Sequence, residues 1–186
     1  MTESEEAALV RRCQERDKDA FRMLVEKYKK VMFGTAYFMT RDRVLAEDAM
    51  QEALIQIWKY LPSLRQDTSL KSWILRIVIN EVNQQRRKKQ VPTVPLEEVA
   101  EITDEVDNVE TIMIRNEVHQ NLRRAVESLP LDQKKAVILR YFSDLTVPEV
   151  AAVLGKREGT IKSRLSRGLN RLGEILENDK SKVEGM

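Results

Sequence analysis

The chain has 186 residues, a formal net charge of +2, 42 % hydrophobic and 33 % charged residues, and only 5 % aromatics, 6 glycines and 5 prolines. That composition favours helices with wide charged surfaces over strand-and-turn architecture. It also excludes much: no apolar run approaches the roughly 18 residues of a membrane span, and a single cysteine with a single histidine allows neither an internal disulfide nor a Cys/His zinc site.

The opening Met1-Thr2-Glu3-Ser4-Glu5-Glu6 is acidic, the reverse of a secretory signal, so a cytoplasmic protein is expected, with no direct membrane insertion. A first helix spans about Glu5 to Arg16 and carries Cys13, which reads as a packed or idle thiol. A second starts near Asp19, a possible N-cap, and runs through Phe21, Leu24, Val25, Tyr28, Val31 and Met32 to Met39. The third runs from about Val44 to Leu61, where Pro62 stops it. On it Asp48, Gln51 and Glu52 stand at i, i+3, i+4, so one face gathers two carboxylates and an amide while Ala49, Ala53 and Ile57 turn to the core. Metal or acid–base chemistry would need a pocket and further ligands, and the residues leave two readings: a solvated face, or a docking surface for a basic partner.

A loop, Pro62-Ser63-Leu64-Arg65-Gln66-Asp67-Thr68, precedes a fourth helix from about Ser69 to Lys89 with Leu70, Trp73, Ile74, Ile77 and Val78 on one face. Its end, Asn80-Glu81-Val82-Asn83-Gln84-Gln85-Arg86-Arg87-Lys88-Lys89, holds amides and then four cations. Cations suit a helix C-terminus for dipole reasons alone, yet amides with cations are also what base edges and phosphates require. Lys71 and Arg76 extend the basic surface. Trp58 and Trp73 read as core, although an aromatic beside a basic groove could stack an unpaired base.

Two prolines in Val91-Pro92-Thr93-Val94-Pro95 break the helical pattern. Residues 91–113 hold seven carboxylates and no cation, between a stretch of +5 (residues 1–90) and one of +4 (residues 114–186). Such a block is expected to be a solvated linker. Four more helices follow: Thr111–Ser128, Leu131–Phe142, Val147–Leu154 and Thr160–Leu176, with a polar tail from Asn178. The last two, separated by a turn at Gly155, have the form of a helix-turn-helix. Ile161, Leu165, Leu169 and Leu172 make an apolar stripe, Thr160 could cap the start, and Thr160, Ser163, Ser166 and Arg167 point away with Lys162 and Arg164 at the flanks. A helix entering the major groove needs such a polar, cationic face, although many surface helices have one and never touch nucleic acid. Nothing resembles a phosphate loop or a nucleophile elbow near His119. No enzymatic activity, cofactor, metal or small-molecule substrate is therefore expected.

These segments in this order resemble the bacterial sigma factors of the extracytoplasmic-function (ECF) group of the sigma-70 family. The N-terminal pattern is carried by Asp19-Ala20-Phe21, Ala46-Glu47-Asp48-Ala49-Met50-Gln51-Glu52, Trp73-Ile74-Leu75-Arg76-Ile77 and Asn80 with the basic residues after it. The C-terminal pattern is carried by Leu129-Pro130, Ala136-Val137-Ile138-Leu139-Arg140-Tyr141-Phe142, Glu149-Val150-Ala151, Leu154-Gly155 and Gly159-Thr160-Ile161-Lys162-Ser163-Arg164-Leu165. The resemblance covers roughly residues 8–90 and 115–176. It implies an all-α fold of two small helical domains: a four-helix sigma-2 domain over residues 1–90, an acidic linker over 91–112, a sigma-4 helix-turn-helix domain over 113–178, and a tail over 179–186.

The resemblance also implies partners. Asp48, Gln51 and Glu52 would dock on the beta-prime coiled coil of core RNA polymerase. Ser63, Leu64, Arg65 and Gln66, with Lys71, Arg76, Asn80, Asn83, Arg86 and Arg87, would read the −10 promoter element as single-stranded DNA with one base flipped out. Arg157, Thr160, Lys162, Ser163, Arg164, Arg167 and Arg171 would read the −35 element as duplex. The linker would thread polymerase surfaces built for nucleic acid, where its carboxylates could act as a mimic. An anti-sigma factor, often membrane-anchored in this group, would control activity. Two other readings stay open on the residues alone: a stand-alone helix-turn-helix regulator with a helical sensor domain, which would show a ligand cavity, and a resolvase-like recombinase, which would need a nucleophile with arginines.

Overall fold

The computed structural model describes residues 3–65, 69–89 and 121–184. Among them every regular element is helical. Helices α1 (Glu3–Gln14), α2 (Lys18–Thr40), α3 (Arg43–Tyr60) and α4 (Leu70–Lys89) form the first half, with a 3₁₀ turn at Leu61–Ser63 between the last two. The second half comprises α5 (121–128), α6 (Leu131–Val137) continuing into a π-helical turn at Ile138–Phe142, α7 (Val147–Leu154) and α8 (Glu158–Glu184). Gln66, the 91–112 linker and the expected helix before residue 121 lie outside the described residues.

Local chemistry starts and stops these helices, with some corrections to the expected ends. Asp17, not Asp19, caps α2: its extended backbone lets the carboxylate accept from the Asp19 and Ala20 N–H groups at 2.9 and 3.0 Å, and Asp19 in the first turn complements the helix dipole. Asp42 caps α3 through the Leu45 N–H. Thr146 and Glu149 form a reciprocal capping box at α7, with Pro148 in the first turn where its missing N–H costs nothing. Thr160 is not a cap. Helix α8 begins two residues earlier, and the Thr160 and Ile161 N–H groups already bond to the Arg157 carbonyl. Nor does the chain leave the helix at Asn178, since α8 continues to Glu184; extending a formed helix needs no new nucleus.

The first half closes around Leu24, Met32, Met39, Ile57, Ile74, Leu75, Val78 and Val82. Ala46, Ala49 and Ala53 recur on the inner face of α3, and their small side chains bring it close to α2 and α4. Trp58 packs edge-on against Phe21 with ring centroids 4.8 Å apart, under the Arg16 guanidinium. The second half buries Leu139, Leu145, Val150, Ile161, Leu165 and Leu172. The expected stripe on α8 is corrected at one position: Gly168 faces inward, 41 % of Leu169 is exposed, and a Cβ at Gly168 would stand 3.0 Å from Val137. The i+7 position returns to the buried face, while i+8 overshoots it by about 80°.

The two halves pack on one another. Helix α4 is buried against α2 and α3 and also against α7, and the π turn meets α2. This is why α4 hides Leu75, Ile79 and Val82 as well as Leu70, Ile74 and Val78.

Candidate nucleic-acid interface

The helix-turn-helix is built from α7 and α8. Gly155 ends α7 in the left-handed region (φ 60, ψ 41), a conformation that costs a residue with a Cβ about 1 kcal/mol or more. Its N–H and that of Lys156 both return to the Ala151 carbonyl. Val150, Ala151 and Val153 seat the short helix on the buried stripe of α8. With that stripe fixed, helical geometry points Thr160, Ser163, Arg167 and Arg171 (i, i+3, i+7, i+11) outward together, and all four are exposed. Asn170 shares this exposed arc, an amide that sequence reasoning missed although its spacing from Ser163 and Arg167 would have revealed it. Lys162 stands exposed at one flank and Arg157 ahead of the helix. Arg164 behaves differently. Its side chain is largely buried and its guanidinium donates to Asp132 of α6 at 2.5 Å, so it ties α8 to its scaffold.

The basic residues of α4 fall into three groups. Arg76, Asn80, Asn83 and Arg87 (i, i+4, i+7, i+11) make one stripe, with Trp73, half-buried against the core, at its edge. Arg86 leans toward the second half, where it is one of the cations that, after burial, hold the Lys134 and Lys135 ammonium groups below their ordinary pKa. Lys71 lies at the far end, lining a cleft of about 680 Å³ with Tyr28, Leu64, Arg65, Ser69 and Glu149. Beside it, the Leu64 carbonyl accepts from Gln14 at 3.0 Å and the Ser63 hydroxyl donates to the Tyr60 carbonyl at 2.8 Å, fixing the described part of the loop.

Glu149 reaches this cleft from α7. Burial pushes its carboxyl pKa up, but hydrogen bonds from Ser69 and Thr146 and the nearby Lys71 outweigh that, so the net shift is downward. The Thr146-x-x-Glu149 spacing carried the capping-box signal; the bond to Ser69, 80 residues earlier, had none.

Asp48, Gln51 and Glu52 form the expected acidic face on α3, all three exposed while Ala49, Ala53 and Ile57 are buried beneath. The structure adds Glu81 of α4, a buried carboxylate whose pKa is raised by burial and then by Glu52. No group of three or more metal-ligating side chains occurs among the described residues, and no described helix is long and apolar enough to cross a membrane.

Among the described residues, an all-helical fold with a helix-turn-helix in one half and an acidic face beside a basic helix in the other fits a class of DNA-binding transcription factor. Comparison with known proteins defines it further. The family model "Sigma-70 region 2" matches residues 24–91, and "Sigma-70, region 4" matches residues 119–172. The ECF RNA polymerase sigma-E factor of Escherichia coli K12 is 33 % identical over 170 residues, covering 86 % of this chain and 87 % of that one. The RNA polymerase sigma-H factor of Pseudomonas aeruginosa is 28 % identical over 186 residues, covering 95 % and 96 %. Among solved structures, sigma factor RpoE of Bartonella quintana, crystallised with the anti-sigma factor NepR, superposes with a TM-score of 0.70 at 30 % identity, over 87 % of this chain and 98 % of that one. The chain belongs to the sigma-70 family and is an ECF sigma factor.

Proposed function

We propose that this chain joins core RNA polymerase through the α3 face of Asp48, Gln51 and Glu52 and then reads promoters with both halves. The exposed face of α8 reads the −35 element as duplex. The α4 stripe, with Lys71, Arg86 and the loop at Ser63–Arg65, holds the −10 element as single strand, where pocket contacts offset an unstacking cost of a few kcal/mol. The protein acts by binding, without catalysis of its own, in the cytoplasm. The observation that carries this reading is the division of labour along one chain: an acidic face with no core duty on α3, and polar, cationic faces on α4 and α8. An anti-sigma factor as controlling partner is supported by the B. quintana relative, which was crystallised with one.

A transcription assay separates this from a stand-alone regulator. Purified chain mixed with core polymerase is expected to select promoters from a random library, and to bind the same duplexes weakly without the core enzyme. Tight, sequence-selective duplex binding by the chain alone, unaffected by core polymerase, would sink the proposal. The linker contributes a separate expectation. Replacing Glu97, Glu98, Glu101, Asp104, Glu105, Asp107 and Glu110 by amides should change holoenzyme affinity or promoter escape; if neither moves, the segment is a passive tether.

A further inference from the structure

We propose that Ile55, with Val44 on the same stripe, is the apolar anchor of the α3 docking face, and that it seats against a helix of core polymerase whose own apolar side chains are bracketed by cations. The inference rests on the docking reading above and adds to it the residues that supply the affinity.

Helix α3 is apolar on two sides. Ala46, Ala49, Ala53 and Ile57 are buried on its inner side. On its outer side 62 % of Val44 and 58 % of Ile55 are exposed. At about 100° per residue, Val44, Asp48, Gln51 and Ile55 (i, i+4, i+7, i+11) fall within about 60° of one another. Along the axis the two apolar residues enclose the polar pair, with Glu52 at the edge of the stripe. Apolar residues scattered singly over a surface are ordinary, and Met23 on α2 and Leu169 on α8 are of that kind. Val44 and Ile55 share one stripe. Both are β-branched, so each gives up rotamer freedom in a helix and weakens α3 slightly. They serve neither the core nor the helix, which points to a surface that covers them.

The spacing indicates the shape of that surface. Steps of four, three and four residues are those by which one helix seats its side chains between the side chains of another. In such a seam Val44 and Ile55 are the apolar knobs. Asp48 and Gln51 are polar residues at inward positions, which lower affinity but fix the register. The charge indicates the partner's sign. Glu47 is paired with Arg43 at 2.8 Å, and the Lys59 ammonium lies over the Tyr60 ring, 5.2 Å from its centroid. Asp48 and Glu52 have no ion-pair partner among the described residues, and Glu52 adds to the crowding that raises the Glu81 pKa. The face therefore sets uncompensated negative charge around apolar groups, which complements cations set around apolar groups. The two kinds of side chain divide the work. Exposed charges steer the encounter and give it its salt dependence. An apolar side chain sealed within an interface governs how long the complex lasts.

The test is titration of labelled chain with core polymerase across a salt series, with association and dissociation rates. Ile55→Gln should weaken binding by about tenfold or more, chiefly through faster dissociation, and leave the salt dependence unchanged. Ile55→Leu, which keeps the apolar volume, should stay within about threefold of wild type. Asp48→Asn should instead slow association and flatten the salt dependence. Thermal unfolding of Ile55→Gln should give a midpoint no lower than that of wild type, because glutamine is the better helix former. Wild-type affinity of Ile55→Gln overturns the anchor, as does a lowered midpoint, which returns Ile55 to the fold. If Ile55→Gln binds as wild type while Asp48→Lys with Glu52→Lys abolishes binding, the anchor alone falls. If both bind as wild type, the docking reading falls with it.

Discussion

Replacing Asp48 and Glu52 together by lysine is expected to abolish productive association with core polymerase. Both side chains are exposed on the outer face of α3, one turn apart, and neither reaches the core that Ala49, Ala53 and Ile57 fill beneath them. The folded state should barely change, since surface substitutions of this kind shift stability by about 0.5 kcal/mol or less. Relief of the carboxylate crowding that raises the Glu81 pKa acts in the favourable direction. At an interface the outcome differs. Close charge pairs are coupled by about 1.5–7 kcal/mol, and reversal adds repulsion to the loss. Two reversals together should weaken binding by at least about a hundredfold, roughly 3 kcal/mol. Titration of labelled chain with core polymerase, alongside thermal unfolding, checks this; an unchanged affinity would remove the α3 face from the proposed interface.

The second large effect is expected on α8. Arg167→Ala should cost promoter affinity about 1–3 kcal/mol and relax sequence preference in the −35 element if its guanidinium reaches a base edge. Lys162→Ala, at the flank, should weaken all sequences alike and lower the salt dependence of binding by about one counterion. Arg164→Ala provides the contrast. Because Asp132 holds its guanidinium within the scaffold, its loss should appear first as a lower unfolding midpoint of the second half. The readout is holoenzyme affinity for a selected promoter and for one with a scrambled −35 element, across a salt series. Equal affinity of wild type and Arg167→Ala for both DNAs would exclude that face of α8 as the reader.

Much of this was legible before any coordinates. The faces of α3 and α8 could be read because a helix with one buried stripe fixes where every other side chain points. The errors were local and small: Asp19 for Asp17, Thr160 for a helix already begun at Glu158, Leu169 for Gly168. Each is a shift of one or two residues along a helix: the cap and the start fall two residues earlier than expected, and the buried stripe returns at i+7 rather than i+8. The grouping of the basic residues on α4 was less legible. Lys71, Arg86 and the Arg76–Arg87 stripe share a helix but not a neighbourhood, since each is claimed by a different part of the surrounding fold.

By itself the sequence determined the described helices to within a few residues at their ends, the turn at Gly155, the all-helical class and the family, because these depend on periods and caps within a few residues or on motifs read in order. Only the tertiary structure decided that α4 is buried on two sides, that Glu149 answers Ser69, and that Phe142 fills the space over Gly34. The physical reason is range. Thr35 and Ser143 stand 108 residues apart, and whether two such hydroxyls meet or face water depends on how whole helices pack, which no local period encodes.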